Sequence, residues 1–475
     1  MKSFFSGCLL LFACVFIINT QSVAQTAIEM NDKVFTHVRD LINTEQGDSL
    51  YALLDDDFKS KFSNEAFTGI LKNNLYPLGP IIEYSLISYN AGTTAYKSVC
   101  SNATLEFRIS TDKTGKITGL RFLPYKPQAL SKTSRALTDN PLRTILDKQL
   151  DTIARNYIDK ANTVGMAISI LKNDTVTNYG YGETVKGNNK IPGADAIFEL
   201  GSVTKTFTAT LLAYYVVLHK VALSDPITEY LPDSVAANTA LQKITLQMLS
   251  NHTSGLSRMP DNIFDSYTDG SNPYKNYNEN KLFAYLKDCK LKSVPGENYA
   301  YSNLAAGLLG IILERISGSS YEQLVTDIIC QPLGMNNTIQ NPDASQKQRE
   351  VAVYNEKGDS VIMWDINGLS GAGALRSDSR DMMKYVQANM KTDKTHLSKA
   401  MQLAQKVTYT GTPQVGLGWH IDDIAGTKYY WHNGATGGSR SFIAFIPGKD
   451  IAIVILSNSA EDVDDTGRAI LKILE

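Results

Sequence analysis

Apolar and polar residues divide this chain into stretches of different period. "AIEMNDKVFTHVRDLIN" (27–43) and "SLYALLDDDFKSKFSNEAFTGILKNNL" (49–75) repeat apolar residues at helical spacing. The runs "IIEYSLISYN", "TTAYKSVCS", "ATLEFRIS" and "KITGLRFLPY" read as strands, with Gly92, Ser101-Asn102 and "TDKTGK" as the hairpin turns between them. Residues 25–126 are therefore expected to form a small α+β domain, in which the Asp55-Asp56-Asp57 run is a solvated helix face. Residues 127–142, "PQALSKTSRALTDNPL", are polar, contain two prolines and read as a linker.

Residues 143–475 mix both periods. "LRTILDKQLDTIARNYIDKA" is a helix, and "GMAISILKNDTVTNYGYGE" is two strands joined at Asn173-Asp174. The apolar run Thr206–Leu218 and "NLAAGLLGIILERISG" are buried helices, the second stopped by Gly318. "TKYYWHNGAT", "RSFIAFIPG" and "DIAIVILSN" are adjacent strands, and "TGRAILKIL" is a final helix. Strands at both ends of this stretch predict one antiparallel sheet built from the two ends, with a helical region inserted between them. Helices followed by a curved antiparallel sheet make the N-terminal domain similar to the NTF2-like domains.

Composition narrows the classes. The 475 residues carry a formal net charge of −2 with the signs mixed, which argues against nucleic acid or an acidic membrane as partner. "MKSFFSGCLLLFACVFIINTQSVAQ" has a basic start, an apolar run too short to span a bilayer, and small residues before a cut after Ala24. Residues 1–24 are read as a signal peptide, so the mature protein is expected to be exported, periplasmic or secreted. Lipidation at Cys14 is disfavoured because "LFAC" places bulky Phe12 in the lipobox. Cys100, Cys289 and Cys330 then remain and read as buried apolar residues, with a Cys289–Cys330 bridge as the alternative.

Three segments carry candidate chemistry. S-x-x-K occurs at Ser110/Lys113, Ser169/Lys172 and Ser202/Lys205. The first two fall at the ends of strand-like runs, where positions i and i+3 point to opposite faces. Only the third lies at a helix start, where i and i+3 share a face and the helix N-terminus favours an oxyanion. A buried amine loses its proton more readily, so Lys205 can serve Ser202 as base; the plainer reading makes Ser202 an N-cap. "PGENYAYSNLAAGLLG" places Tyr301 and Asn303 on the turn into a helix, with Ser302 available as its cap. A second Y-x-N, Tyr274/Asn276, lies in a polar loop. "YYWHNGATGGSRSFIAF" sets His432, Asn433, Gly434 and Ala435 in a strand whose glycines allow close approach of a ligand. "GLSGA" (368–372) falls short of a G-x-S-x-G elbow, and His252 reads as a structural loop residue. No HExxH or His/Cys cluster suggests a metal, and no cofactor is implied.

In this order, S-x-x-K, Y-x-N and H-N-G resemble the serine β-lactamase and penicillin-binding-protein superfamily, closest to class C β-lactamases and related D-alanyl-D-alanine carboxypeptidases and esterases. "FELGSVTKTFTA", "YSNLAAGLLG", "ITLQMLSNHTSGL", "LSDPITEYLP", "QPLGMNNT" and "GLSGAGALRSDSRDMMKY" carry the likeness, which spans roughly 145–475. The resemblance implies a β-lactamase-like α+β serine hydrolase domain. It makes Ser202 the acylated nucleophile, Lys205 its proton acceptor and Tyr301 a proton partner that also helps deliver water. It gives Asn303 the acyl side-chain amide, and the oxyanion to the N–H groups of Ser202 and Ala435. Class C β-lactamases carry K-T-G where this chain has His432-Asn433-Gly434. Carboxypeptidases and esterases of the family use H-x-G, so hydrolysis stands while β-lactam turnover is in doubt. Asn433 retains an amide donor, and Arg440 or Arg468 can restore the lost charge. The expected partner is a small molecule or peptide, cell-wall peptide among them. The competing reading is a penicillin-binding sensor that acylates slowly or not at all.

Overall fold

The computed structural model describes residues 28–475 apart from 91, 126–131, 267–271 and 425. The signal-peptide reading lies outside the described residues. Among those described, no helix is long and apolar enough to cross a membrane. The chain separates into two compact units between Gln128 and Ala129.

In the first unit, helices pack on a four-stranded antiparallel meander, Ile81–Asn90, Thr93–Cys100, Thr104–Thr111 and Ile117–Pro124. Phe35 stacks on Tyr96 at 4.3 Å and packs against Phe107, which fixes the helix 28–43 to the sheet. The helical run 49–75 is broken into short helices, because Asp55 and Ser63 each accept a backbone N–H three residues on and start a new one. Asp55 is thus a cap; only Asp56 and Asp57 form the exposed face.

Residues 132–142, expected as linker, are held by the second unit. Asn140 is buried and donates to the Asp147 carbonyl and to the Tyr181 hydroxyl, and Thr138 donates to the Gly180 carbonyl. A capping box between Thr144 and Asp147 then opens the helix Ile145–Ile158.

The sheet of this unit has seven antiparallel strands. Their order is Gln414–Val415, His420–Ile424, Thr427–Ala435, Arg440–Ile446, Ile451–Ser457, Gly165–Lys172 and Thr175–Gly182. Strands from both ends of the unit join where Ile451–Ser457 pairs with Gly165–Lys172. The terminal helix Asp464–Leu474 and the helix Ile145–Ile158 cover one face around Leu150, Ile168, Phe442 and Ile470. The inserted helical region covers the other around Phe207, Leu308, Tyr385 and Trp419. This is the α+β architecture that the periods predict. Ser169 lies in mid-strand rather than at a strand end, and its hydroxyl is bonded to Asn178. Cys100, Cys289 and Cys330 are free and buried, so the Cys289–Cys330 bridge does not form.

Candidate active site

Ser202 lies in a 3-10 turn, Gly201–Val203, that runs straight into the helix Thr204–Val217. Its hydroxyl caps neither element, so the N-cap reading fails. Lys205 Nζ instead stands 2.9 Å from Ser202 Oγ, as positions i and i+3 on one helical face allow. The amine is 2 % exposed and donates a second bond, of 2.7 Å, to the Ala372 carbonyl. That carbonyl belongs to the "GLSGA" segment, which forms the buried helix Ser370–Gly373. Burial first, and the Arg258 charge second, push the Lys205 pKa well below that of an ordinary amine.

Tyr301 and Asn303 sit at the start of the helix Asn303–Ser317, which Ser302 caps by accepting from Ala305 N–H. The Tyr301 ring lies under the Lys205 amine and the Arg258 guanidinium, with Lys205 Nζ 4.9 Å and Arg258 Cζ 5.1 Å from its centroid. Burial raises the phenol's pKa; its bond to Ser202 and the Arg258 charge oppose that rise. His252 backs the ring at 4.4 Å and accepts the Ser302 N–H on Nδ1, which supports the structural role expected of it. The Asn303 amide nitrogen meets Met259 Sδ and the Tyr274 hydroxyl, while its Oδ1 is buried with no partner among the described residues. Tyr274, of the second Y-x-N, is buried beside Asn303 rather than set in an open polar loop.

The strand Thr427–Ala435 supplies the opposite wall. Its pairing with His420–Ile424 ends at Trp431, which leaves His432–Ala435 with a strand neighbour on one side only. Gly201 has φ +50, and a Cβ there would lie 2.7 Å from Ala435 N. The backbones of the serine turn and Ala435 are thereby in contact, where two N–H groups can share one oxygen. At Gly434 a Cβ would strike the Leu200 carbonyl and the Ser441 hydroxyl, so this glycine admits the chain's own backbone rather than a ligand's.

Side chains on this strand alternate, and the alternation corrects one expectation. Trp431 and Asn433 point to the terminal-helix face, where Asn433 donates to Asp464 at 2.7 Å. Asn433 thus ties strand to helix and offers no amide to a substrate. His432 faces the serine side but is 1 % exposed and bonds its Nδ1 to the Asn433 carbonyl. Burial, with His420 and Lys205 nearby, pushes its pKa well below 6.5 and keeps the ring neutral. Neither arginine proposed to replace the K-T-G lysine is available. Arg468 pairs with Asp422 and lies over Trp431 at 4.2 Å, and Arg440 binds the Thr436 and Ser439 carbonyls. Among the described residues, no group of His, Cys, Asp and Glu is placed to hold a metal ion.

Sequence reasoning missed Glu199, Arg258 and the Ala372 carbonyl. Glu199, 3 % exposed, accepts from Trp364 N–H, Thr436 Oγ1 and Ser439 Oγ, and so anchors the turn after Ala435. Burial raises its pKa despite those bonds. Glu199→Ala strands three donors and is expected to cost about 2 kcal/mol or more in urea unfolding. It should also lower kcat/KM by loosening Ala435, whereas Glu199→Gln, which keeps an acceptor for Trp364, should lose less than half as much on both measures.

A buried lysine bonded to a serine at a helix start, faced by a tyrosine turn and an open strand end, defines a serine hydrolase of the β-lactamase and penicillin-binding-protein class. The family model described as Beta-lactamase matches residues 150–475, and the chain belongs to that family. A β-lactamase of Pseudomonas fluorescens is 26% identical, over 66% of this chain and 94% of its own. The D-alanyl-D-alanine-carboxypeptidase/endopeptidase AmpH of Escherichia coli K12 is 29% identical, over 65% of this chain and 83% of its own. Among solved structures, a β-lactamase/D-alanine carboxypeptidase from Pseudomonas syringae superposes with TM-score 0.61 at 25% identity. It covers 70% of this chain and 98% of its own. A class C β-lactamase gives TM-score 0.62 at 25% identity, over 70% of this chain and 96% of its own.

Proposed function

We propose that this family serine hydrolase works through an acyl-enzyme on Ser202. The observation that carries the reading is the 2.9 Å contact between Ser202 Oγ and a buried Lys205 amine that burial drives toward its neutral form. Lys205 takes the hydroxyl proton as Ser202 Oγ attacks the substrate carbonyl. The N–H groups of Ser202 and Ala435 receive the oxyanion. The phenol of Tyr301, held protonated by burial, passes a proton to the departing amine or alcohol. An ester on Ser202 forms as the scissile bond breaks. Water then attacks that ester, giving its proton back through Tyr301 and Lys205, and the acid leaves with Ser202 restored. Asn303 binds the acyl arm.

The preferred substrates are D-amino-acid peptides of cell-wall type or small esters rather than β-lactams. A neutral, buried His432 cannot attract a carboxylate as the K-T-G ammonium does. The proposed setting is the periplasm or exterior, after cleavage of the leader read in residues 1–24.

Purified protein and its Ser202→Ala variant, assayed with a D-Ala-D-Ala peptide, p-nitrophenyl acetate and nitrocefin, test this directly. Wild type should hydrolyse the peptide or the ester faster than nitrocefin, and the variant should lose at least about a hundredfold. Equal rates for the two proteins on every substrate would sink the assignment. A penicilloyl adduct that persists in intact-mass spectra without turnover would support the sensor instead.

A further inference from the structure

The open cation at this site lies on the tyrosine side. Arg258 belongs to the loop after His252, and its carbonyl accepts the N–H groups of Asn303 and Leu304, which seats it at the helix start beside Asn303. Its side chain is exposed. Among the described residues no carboxylate lies within ion-pair distance of it, in contrast to Arg376, Arg440 and Arg468 around the same site. The guanidinium Cζ lies 5.1 Å from the Tyr301 ring centroid, and among the described residues no hydrogen bond takes up its N–H donors. Next to it Asn303 Oδ1 is buried with no partner among the described residues. On the strand side, His432 is buried and bonded to its own backbone.

We propose that Arg258 is a specificity-determining residue that selects substrates whose acyl arm carries a carboxylate. The proposal rests on the Ser202 acyl-enzyme reading for its catalytic consequence. A planar guanidinium pairs bidentately with a carboxylate, and Tyr301 holds it in a fixed attitude. An acyl arm with an N–H for Asn303 and a carboxylate for Arg258 describes a peptide with an acidic side chain or a free carboxyl branch. The charge preference is thereby moved from the strand wall to the helix wall.

Two esters that share a leaving group isolate the acyl arm: p-nitrophenyl hemiadipate, which ends in a carboxylate, and p-nitrophenyl hexanoate, which ends in a methyl. The ratio of their kcat/KM values, corrected for spontaneous hydrolysis, should fall on the order of tenfold in Arg258→Gln, with Arg258→Lys between. The wild-type ratio should also fall as salt rises. A ratio within twofold of wild type in Arg258→Gln overturns the proposal. Binding is read separately by titrating adipic acid monoamide into the Ser202→Ala protein, with and without Arg258→Gln. Wild type inert on both esters would count against an ester substrate, while the titration would still decide Arg258. Equal affinity in the two titrated proteins would refute the role of Arg258 even if both esters are hydrolysed.

Discussion

Lys205→Arg is expected to lower kcat/KM by about 10²–10⁴-fold, since positioned proton transfer contributes about that much. Arginine places a permanent positive charge near Ser202, so the loss does not come from a missing charge. It stays protonated at any working pH, and a permanent cation cannot accept the serine proton. Wild-type acylation should rise with pH as Lys205 loses its proton. Because burial lowers that pKa, the rising limb should lie well below the usual amine range. The stability consequence has a definite sign. The folded pKa lies below the unfolded one, so between the two values the unfolded chain holds a proton that the folded chain lacks. At Lys205, stability therefore grows with pH across that window and stops growing once the unfolded amine is also neutral. Lys205→Met removes the buried amine along with the base. It should be inactive yet unfold at no lower urea concentration than wild type at pH 7. A pH–rate profile with no rising limb below the usual amine range, or acylation by Lys205→Arg within tenfold of wild type in a burst assay, would count against Lys205 as base.

Gly201→Ala should damage both folding and catalysis. A left-handed backbone costs an L-residue about 1–2 kcal/mol, and forcing a methyl into a filled space about 1–3 more. At Gly201 both apply, because φ is +50 and the new Cβ would lie 2.7 Å from Ala435 N and 2.9 Å from its O. The obstacle is backbone and cannot swing aside as a flexible side chain does. Relief requires the serine turn and the strand to part, and a displacement of about 1 Å at reacting groups can cost about 10²-fold. The expected result is a loss of about 2–5 kcal/mol in urea unfolding with a kcat/KM drop of about 10²-fold or more. Gly448→Ala serves as comparison, since its φ is +80 but nothing lies within 4 Å of the added Cβ. It should lose only the strain, about 1–2 kcal/mol, and keep its kcat/KM. Equal effects at the two glycines would mean that contact with Ala435 does not matter.

The helices and strands of the second unit were legible because their apolar runs are long and end at recognisable stops. Ser202, Lys205 and Tyr301 were legible because helical spacing places the first two on one face and a helix start presents the third. Asn433 was misplaced because H-N-G was read as a unit, whereas strand alternation sends its middle residue to the far face. Residues 132–142 looked like a linker because the hydrogen bonds of Thr138 and Asn140 to Tyr181 and its neighbours have no local periodicity. Tyr274 looked idle because its neighbour Asn303 is distant in sequence. Arg258 could not have been singled out. An exposed arginine in a loop has no spacing, and the role proposed for it rests on the absence of a carboxylate beside it among the described residues.

The sheet's assembly from the two ends of the second unit also sets a timetable. Ser202 is synthesised roughly 230 residues before the strand that brings Ala435 to it, an interval on the order of ten to fifty seconds at ordinary translation rates. Throughout that interval the strand Gly165–Lys172, buried along most of its length in the finished domain, lacks its partner Ile451–Ser457. The growing chain thus carries this apolar strand with one edge paired to Thr175–Gly182 and the other open until Ile451–Ser457 is made. A nascent chain arrested before Arg440 would hold Ser202, Lys205 and Tyr301 with no strand Arg440–Ile446 to hold Ala435 in place. Such a chain would be a client for chaperones rather than an enzyme.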